Sequence, residues 1–453
     1  MTADQERKKL RVLVVGAGIA GLAAGRALRE HHEVHIFEQS SFKTEVGAAI
    51  HTGPNASRIL LNWGLNLDRL ESPDCRHIYE YSISGKLVSH RQVDLTKLFG
   101  APWLLNHRVS LHKELLYLAT SHDAALPGEP AQLHCGAKVV AIDGENGTIT
   151  LANGETFQGD IIVGGDGIKS TLQSYVLNQP VTARPSGHSA YRFLIPFTRL
   201  RELHDAEVDR ILAEPSLTMF VGQDRRMVCY TCRYDGQDLL NVVAMVPDVG
   251  LFEASTESWS ATGSLQDLAA SFADFPPTVK QILGQASECG LYQLRDQEPL
   301  AQWHRHRALL IGDAAHPMLP HLGQGGSQAI EDAEALAYVL STSPGLPELE
   351  SVHKALERFQ TLRHFRATIS QEKSRSQALG PRAGSQEELL GKNPLLFTGF
   401  LYDYQGAQEW EQRMKEGRVG KVPDGPPVPA KAAASSDSKR AGDAHVSASS
   451  VNA

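Results

Sequence analysis

A glycine-rich turn near the N-terminus constrains the fold of this chain more than any other segment. It reads Gly16-Ala17-Gly18-Ile19-Ala20-Gly21, follows the apolar run 11–15 and precedes a helix-like segment and a second apolar run at 34–38. In such a βαβ unit the first glycine permits a tight turn, the second lets the backbone approach a pyrophosphate, and the third lets the helix pack on the sheet. The pattern therefore predicts a Rossmann-like dinucleotide-binding unit that uses Gly16, Gly18 and Gly21.

The second apolar run ends on an acidic residue, Glu38. A carboxylate at the end of this strand can accept hydrogen bonds from the ribose hydroxyls of an adenosine. The alternative is an ordinary strand-turn-helix that binds nothing. The acid favours the nucleotide-binding interpretation.

Two later motifs also follow apolar runs. They are Gly165-Asp166-Gly167, after 160–164, and Gly312-Asp313-Ala314-Ala315-His316-Pro317, at the end of 308–313. Ligands bind beyond the carboxyl ends of parallel strands, where the Asp313 carboxylate can accept from the ribityl chain of FAD. Gly323-Gln324-Gly325-Gly326 then opens a helix whose dipole favours negative charge on a flavin. The three motifs narrow the predicted cofactor to FAD, and we interpret His316, in a tight turn, as structural.

Coarse patterning predicts an α/β fold in which the Rossmann-like FAD-binding domain is interleaved with a strand-rich substrate domain. We assign residues 10–184 and 301–345 to the first domain and 185–300 to the second. A C-terminal helical segment, 346–419, and a disordered tail, 420–453, rich in Pro, Ala, Ser and Lys, complete the chain. Between 40 and 135 only two helix-like segments stand out, at 55–64 and 110–120.

Composition bears on partners and location. The net charge of -8 leaves no basic footprint for nucleic acid, and we find no apolar run long enough to cross a bilayer and no secretory signal. Five cysteines suit a reducing compartment, so we expect a cytoplasmic monomer or homodimer. Cys229 and Cys232 stand three apart on a predicted strand, which points their thiols to opposite faces. We therefore expect no metal site.

The motifs together resemble those of the FAD-dependent aromatic hydroxylases, the group A flavoprotein monooxygenases. The nearest resemblance is to fungal salicylate-hydroxylase-like monooxygenases of secondary metabolism, over about residues 10–405. It implies that FAD is bound without a covalent link. It also implies that Asp166 interacts with both the flavin and the pyridine nucleotide. The other implied FAD contacts are Glu38, Ala49, Arg108, Asp313 and Gly326. Gly165 and Gly326 stand where this family usually has Ala.

The resemblance also implies a reaction. NADPH or NADH would act as a transient co-substrate, and O2 would form a flavin C4a-hydroperoxide that hydroxylates a phenolic or polyketide-derived aromatic. Arg192 and Tyr230 match the substrate-facing positions and are the candidate catalytic residues, because a buried Arg favours a phenolate. Structural roles for both residues stay open. So do epoxidation or indole oxidation of a non-phenolic substrate, and a non-catalytic flavin-binding module.

Overall fold

The computed structural model describes residues 9–41, 48–248, 260–378 and 398–419, so the predicted tail lies outside the described residues. The strands are β1 (Arg11–Val15), β2 (Glu33–Glu38), β3 (Ala49–Thr52), β4 (His77–Ser82), β5 (Leu87–Gln92), β6 (Leu104–His107), β7 (Gln132–Cys135), β8 (Val139–Asp143), β9 (Thr148–Leu151), β10 (Thr156–Gln158), β11 (Ile161–Gly164), β12 (Arg184–Pro196), β13 (Ser216–Val221), β14 (Arg226–Tyr234), β15 (Gln237–Pro247), β16 (Ser260–Thr262), β17 (Gly290–Asp296), β18 (His304–Arg305) and β19 (Ala308–Leu310).

The α-helices are α1 (Ile19–Leu28), α2 (Pro54–Asn62), α3 (Leu67–Leu70), α4 (Leu95–Phe99), α5 (Arg108–Thr120), α6 (Thr171–Leu177), α7 (Phe197–Arg201), α8 (Ala206–Ala213), α9 (Leu265–Ser271), α10 (Pro277–Leu283), α11 (Gly325–Thr342), α12 (Leu349–Ser376), α13 (Thr398–Tyr402) and α14 (Ala407–Lys415). Short 3-10 turns span Gly312–Ala314 and Pro320–Leu322.

A six-stranded sheet in the order β18-β19-β11-β1-β2-β7 carries the glycine motifs. Its strands are parallel except for the β18–β19 pair. Val12 to Val14 of β1 are fully buried, as a continuous apolar run predicts for a parallel strand covered on both faces. Helices α1 and α11 pack against each other beside this sheet, and the predicted βαβ unit is present as β1-α1-β2.

An eight-stranded sheet follows the order β16-β17-β12-β15-β14-β13-β4-β5. Its four central strands, β12, β15, β14 and β13, span residues 184–247 and so fall in the strand-rich block that the sequence assigns to the substrate domain. Neighbouring strands are antiparallel except β13 and β4, which run parallel from the pairing of His77 with Ser216. The α/β fold class is confirmed, with one sheet for the nucleotide motifs and one for the strand-rich block.

Two strands from the first predicted domain lie in the larger sheet. Strands β4 and β5, residues 77–92, belong to the eight-stranded sheet, although the sequence placed all of 10–184 in the FAD-binding domain. Strands β3 and β6 form a separate two-stranded sheet in the same region. The sequence did not reveal this arrangement because it depends on long-range pairing. Strand β4 pairs with β13, which is far along the chain, and a local pattern does not identify such a partner.

A buried ion network joins α11 to α12. Arg363 contacts Glu331 at 2.6 Å and Asp332 at 2.8 Å, and Arg366 contacts Glu331 at 2.6 Å. All four side chains are fully buried. Because each charge has a partner of opposite sign, the network satisfies groups that would be costly to bury alone. It fixes α12 against the helix that opens at Gly325.

Cys229 and Cys232 lie in separate apolar clusters on opposite faces of β14, and no metal-binding group of His, Cys, Asp and Glu occurs within the described residues. In the same part of the chain, none of the helices combines the length and the apolar content that crossing a bilayer requires.

Candidate active site

A cavity of about 860 Å³ runs from the glycine turn after β1 to one face of the eight-stranded sheet. It is lined by every candidate site residue from the sequence except Gly21. The lining members of that set are Gly16, Gly18, Glu38, Ala49, Arg108, Asp166, Arg192, Tyr230, Asp313 and Gly326. Residues on nine different structural segments therefore converge on one space.

The glycine turn has the geometry that a pyrophosphate requires. Gly16 has φ +95°, and a Cβ there would lie 2.6 Å from the Gly165 carbonyl oxygen. A Cβ on Gly21 would lie 1.8 Å from the Gly16 oxygen, so Gly21 serves helix packing and stays out of the cavity. A Cβ on Gly18 would meet nothing within 4 Å. Since α1 begins at Ile19 with no side-chain cap, its first N–H groups can bind an anion.

Glu38 is fixed at the end of β2. Its Oε2 accepts from the Ala17 N–H at 2.8 Å, and its Oε1 accepts from the Ser40 N–H at 2.8 Å. Each carboxylate oxygen keeps a second lone pair, and the side chain lines the cavity beside Gln39 and Lys138. The acid is thus available to the hydroxyls of a ribose.

Two aspartates supply further acceptors. Asp313 follows β19 in the turn Gly312–Ala314, and its side chain is exposed and lines the cavity. The surrounding protein raises the pKa of Asp313 by burial, while His316 and Arg108 oppose that shift. Asp166 accepts from the Thr171 N–H at 2.7 Å through Oδ2, and its buried Oδ1 has no hydrogen-bond partner among the described residues. Burial raises its pKa as well.

Asp332 stabilises the turn that carries Asp313. Asp332 Oδ2 accepts from the Gly312 N–H at 2.8 Å and contacts His316 Nε2 at 2.6 Å. His316 is 1 % exposed and does not line the cavity. These contacts agree with the structural interpretation of His316.

The N-terminus of α11 completes the cofactor side. Gly325 and Gly326 line the cavity, and a Cβ on Gly326 would come 3.0 Å from the flexible end of Ile50. The alanine usual at this position would therefore need only a small adjustment. At Gly165, by contrast, a Cβ would come 3.0 Å from the Gly21 backbone nitrogen. These features together fit a bound FAD: the dipole of α11, the carboxylate acceptors of Glu38, Asp166 and Asp313, and the exposed backbone of the glycine turns.

The far wall of the cavity is the face of the eight-stranded sheet that carries Arg192 and Tyr230. Arg192, Val243, Val228 and Met219 form one cross-strand row, and Tyr230 belongs to the next row. Buried Arg192 Nε has no hydrogen-bond partner in the described part of the chain, and its guanidinium carbon lies 5.7 Å from the Tyr292 ring centre. Burial lowers the pKa of Arg192, whereas it raises the pKa of Tyr230, and each group partly offsets the shift of the other. The guanidinium of Arg192 and the neutral phenol of Tyr230 therefore line the same cavity.

Several lining side chains were not predicted, and His51 is the best defined. Its Nδ1 lies 3.0 Å from the Trp103 indole nitrogen, which can only donate, so Nδ1 accepts. Burial lowers the pKa of His51 to about 4. The neutral ring consequently carries its proton on Nε2, beside Gly323, and stands edge-on to Tyr230 with centroids 6.1 Å apart. The other missed lining residues with polar groups include Trp103, Arg226, His321 and Tyr402.

Comparison with known proteins shows the family to which the chain belongs. Residues 9–343 match the family model described as FAD binding domain. The chain is 34% identical over 381 residues to FAD-dependent monooxygenase cfoG of Aspergillus candidus, covering 80% of this chain and 84% of that protein. It is 35% identical over 373 residues to hispidin-3-hydroxylase of Neonothopanus nambi, covering 79% and 86%. A solved salicylate hydroxylase substrate complex matches with TM-score 0.72 and 26% identity, over 89% of this chain and 97% of that one.

Fold, cavity and relatives define an FAD-dependent monooxygenase of the aromatic-hydroxylase type. The family model covers well over half of the sequence. This chain belongs to the FAD binding domain family, as its three glycine motifs predict.

Proposed function

We propose that this enzyme uses NAD(P)H and O2 to hydroxylate a phenolic or polyketide-derived aromatic compound in secondary metabolism. One observation carries the proposal: a single cavity joins the predicted FAD contacts to a sheet face bearing Arg192 and Tyr230. The relative named hispidin-3-hydroxylase supports an aromatic substrate. In the overall reaction a ring hydrogen is replaced by hydroxyl, the second oxygen atom leaves as water, and NAD(P)H with a proton supplies two electrons.

The cofactor would lie along the first part of the cavity, without a covalent link. Gly18 and the start of α1 would hold the pyrophosphate, Glu38 the ribose and Asp313 the ribityl chain. When bound, FAD would supply the redox and oxygen-transfer chemistry, with NAD(P)H as the transient source of electrons.

Arg192 and Tyr230 would make the substrate ring electron-rich. The charge of Arg192 lowers the pKa of a phenol beside it, because it stabilises the phenolate. Burial raises the pKa of Tyr230, so its hydroxyl stays protonated and donates to the phenolate oxygen. These two residues thereby orient the ring and increase its reactivity.

The apolar residues around this pair exclude water. Leu217, Met219, Val228 and Val243 line the same face of the sheet, and Ile78 of β4 adjoins them. Removal of water strengthens the interaction between Arg192 and a phenolate. It also prevents the activated oxygen from being lost in side reactions that leave the substrate unoxidised. The protein contributes position and charge, while the cofactor contributes oxygen chemistry.

The test is NAD(P)H oxidation by the yellow protein across a panel of phenols, with mass spectrometry of the products. We expect at least one phenol to stimulate NAD(P)H oxidation and to gain one oxygen atom. Oxygen transfer only to alkenes or indoles would support the non-phenolic alternative. Bound FAD with no substrate-stimulated oxidation would support a non-catalytic flavoprotein.

A further inference from the structure

A second pair of polar side chains lines the cavity without a part in the proposed reaction. It consists of Arg226, at the start of β14, and His321, in the 3-10 turn Pro320–Leu322. We propose that this pair is a second substrate anchor, which binds an anionic or acceptor oxygen at the end of the aromatic molecule opposite to the Arg192–Tyr230 pair. The inference rests on the proposed function and adds that the substrate is extended and carries oxygen at two ends.

Arg226 is a buried cation with few hydrogen-bond partners. Its side chain is only 9 % exposed, and its buried Nε has no hydrogen-bond partner among the described residues. One nitrogen, Nη2, donates to the Gln377 carbonyl at 3.2 Å. Glu80 is the acid that acts on it electrostatically, but Glu80 lies 3.5 Å from Arg91 and forms no ion pair with Arg226. Burying a guanidinium with so few partners is costly, and a ligand oxygen would offset that cost.

His321 offers complementary hydrogen bonds. Both of its ring nitrogens are buried, and neither has a partner in the described part of the chain. Burial, Arg226 and His188 lower the pKa of His321 to about 3, so the ring is neutral near pH 7. A neutral imidazole donates from one nitrogen and accepts at the other. Since His321 lines the same cavity as Arg226 and senses its charge, it would donate to the same ligand oxygen.

The register of the sheet separates the two pairs. Arg226 is level with Met245 and Ala190, whereas Arg192 is level with Val243 and Val228. The Arg226 and Arg192 Cα atoms therefore stand two strands across and two residues along from each other, about 12 Å apart at ordinary sheet spacings. Val228, Val243 and Met245, all apolar, line the cavity between them. Polar ends around an apolar strip favour an extended aromatic substrate over a compact one.

The test measures binding of two probes to the FAD-loaded enzyme through the change in flavin absorbance. The probes are para-hydroxystilbene and the same compound with a carboxylate on the distal ring. We expect the wild type to bind the carboxylate about tenfold or more tightly, since a hydrogen bond to a charged group supplies that much. Arg226→Met should abolish this preference and leave affinity for the plain probe unchanged, whereas Arg192→Ala should weaken both probes alike.

Further variants separate the possible outcomes. Arg226→Lys should keep part of the preference, and His321→Phe should reduce it, which tests the anchor even if Arg226→Met is poorly folded. A wild type without preference, or an Arg226→Met enzyme that retains it, would overturn the anchor. A preference that depends on Arg226, with no hydroxylation of any phenol, would leave the anchor standing and remove the proposed function.

Discussion

Asn241 joins the substrate sheet to the cofactor side of the cavity. Its Oδ1, from the centre of β15, accepts a hydrogen bond from the Ala49 N–H at 3.1 Å. Both residues are buried, and Ala49 is a predicted FAD contact in a different sheet. The bond therefore fixes the distance between the part of the protein that would hold FAD and the part that would hold the aromatic ring.

Asn241→Leu should lower stability by about 1–3 kcal/mol, because it leaves the buried Ala49 N–H without an acceptor. Thermal unfolding of the FAD-loaded protein measures the effect. Thr218→Val is the matched control: Thr218 is equally buried in the same sheet, and its hydroxyl has no partner among the described residues. Equal melting temperatures for the two variants would show that the Asn241 bond does not hold the sheets together.

Gly18→Ala should give a folded protein that binds FAD weakly. Gly18 has φ -75°, which alanine adopts readily, and a Cβ there would meet no protein atom within 4 Å but would enter the space assigned to the pyrophosphate. Gly21→Ala should instead destabilise the fold, since its Cβ would collide with the Gly16 oxygen at 1.8 Å. Circular dichroism and FAD titration of both variants check this contrast, and normal FAD affinity in Gly18→Ala would contradict the assignment.

Local signals explain what could be predicted from the sequence. The β1-α1-β2 unit, the position of Glu38 at a strand end and the turn at Asp313 all depend on residues adjacent in the chain, and the structure has each of them. Arg192 and Tyr230 came from family resemblance, and the structure brings both to the same cavity. Their roles remain proposals.

The residues that were missed depend on partners distant in sequence. His51 and Trp103 belong to a region where β3 pairs with β6 and β4 with β13, and no local pattern discloses those pairings. Arg226 could have been predicted from strand periodicity. It lies two residues before Val228 and four before Tyr230, so all three side chains are on the same face of β14. His321 had no such signal: its direction is set by the short turn in which it lies.

Asp313→Ala should fold and lose most of its FAD. The carboxylate opens into the cavity, and its loss would leave polar groups of the ribityl chain unpaired, at a cost of about 1–3 kcal/mol. That corresponds to an increase in the Kd for FAD of about 5- to 150-fold. Asp313→Asn keeps an acceptor and should bind FAD with intermediate affinity. Full flavin occupancy of Asp313→Ala at limiting FAD would rule out this contact.

Asp332→Asn should lower stability and change its pH dependence. Burial alone would raise the pKa of Asp332, but His316 and Arg363 outweigh it and hold the pKa at about 2, below the ordinary 3.8. A carboxyl with a depressed folded-state pKa stabilises the protein above about pH 4, and this contribution, about 2 kcal/mol, is lost as the pH falls from 4 to 2. Unfolding of wild type and variant across that window should converge toward acid pH. A constant difference between them would show that Asp332 is not ionised in the folded protein.

The central claim is that Arg192 and Tyr230 orient and activate a phenolic substrate. Arg192→Ala should retain FAD but lose hydroxylation, Arg192→Lys should recover only part of it because a point charge lacks the planar fork, and Tyr230→Phe should lose less. Arg184→Ala, at the exposed start of the same strand, is the control and should behave as wild type.

The most direct measurement is hydroxylated product formed per NAD(P)H consumed, with flavin content determined for each variant. We expect a large fall in this ratio for flavin-loaded Arg192→Ala and no change for Arg184→Ala. A wild-type ratio in flavin-loaded Arg192→Ala would contradict the account and leave Arg192 as a structural arginine.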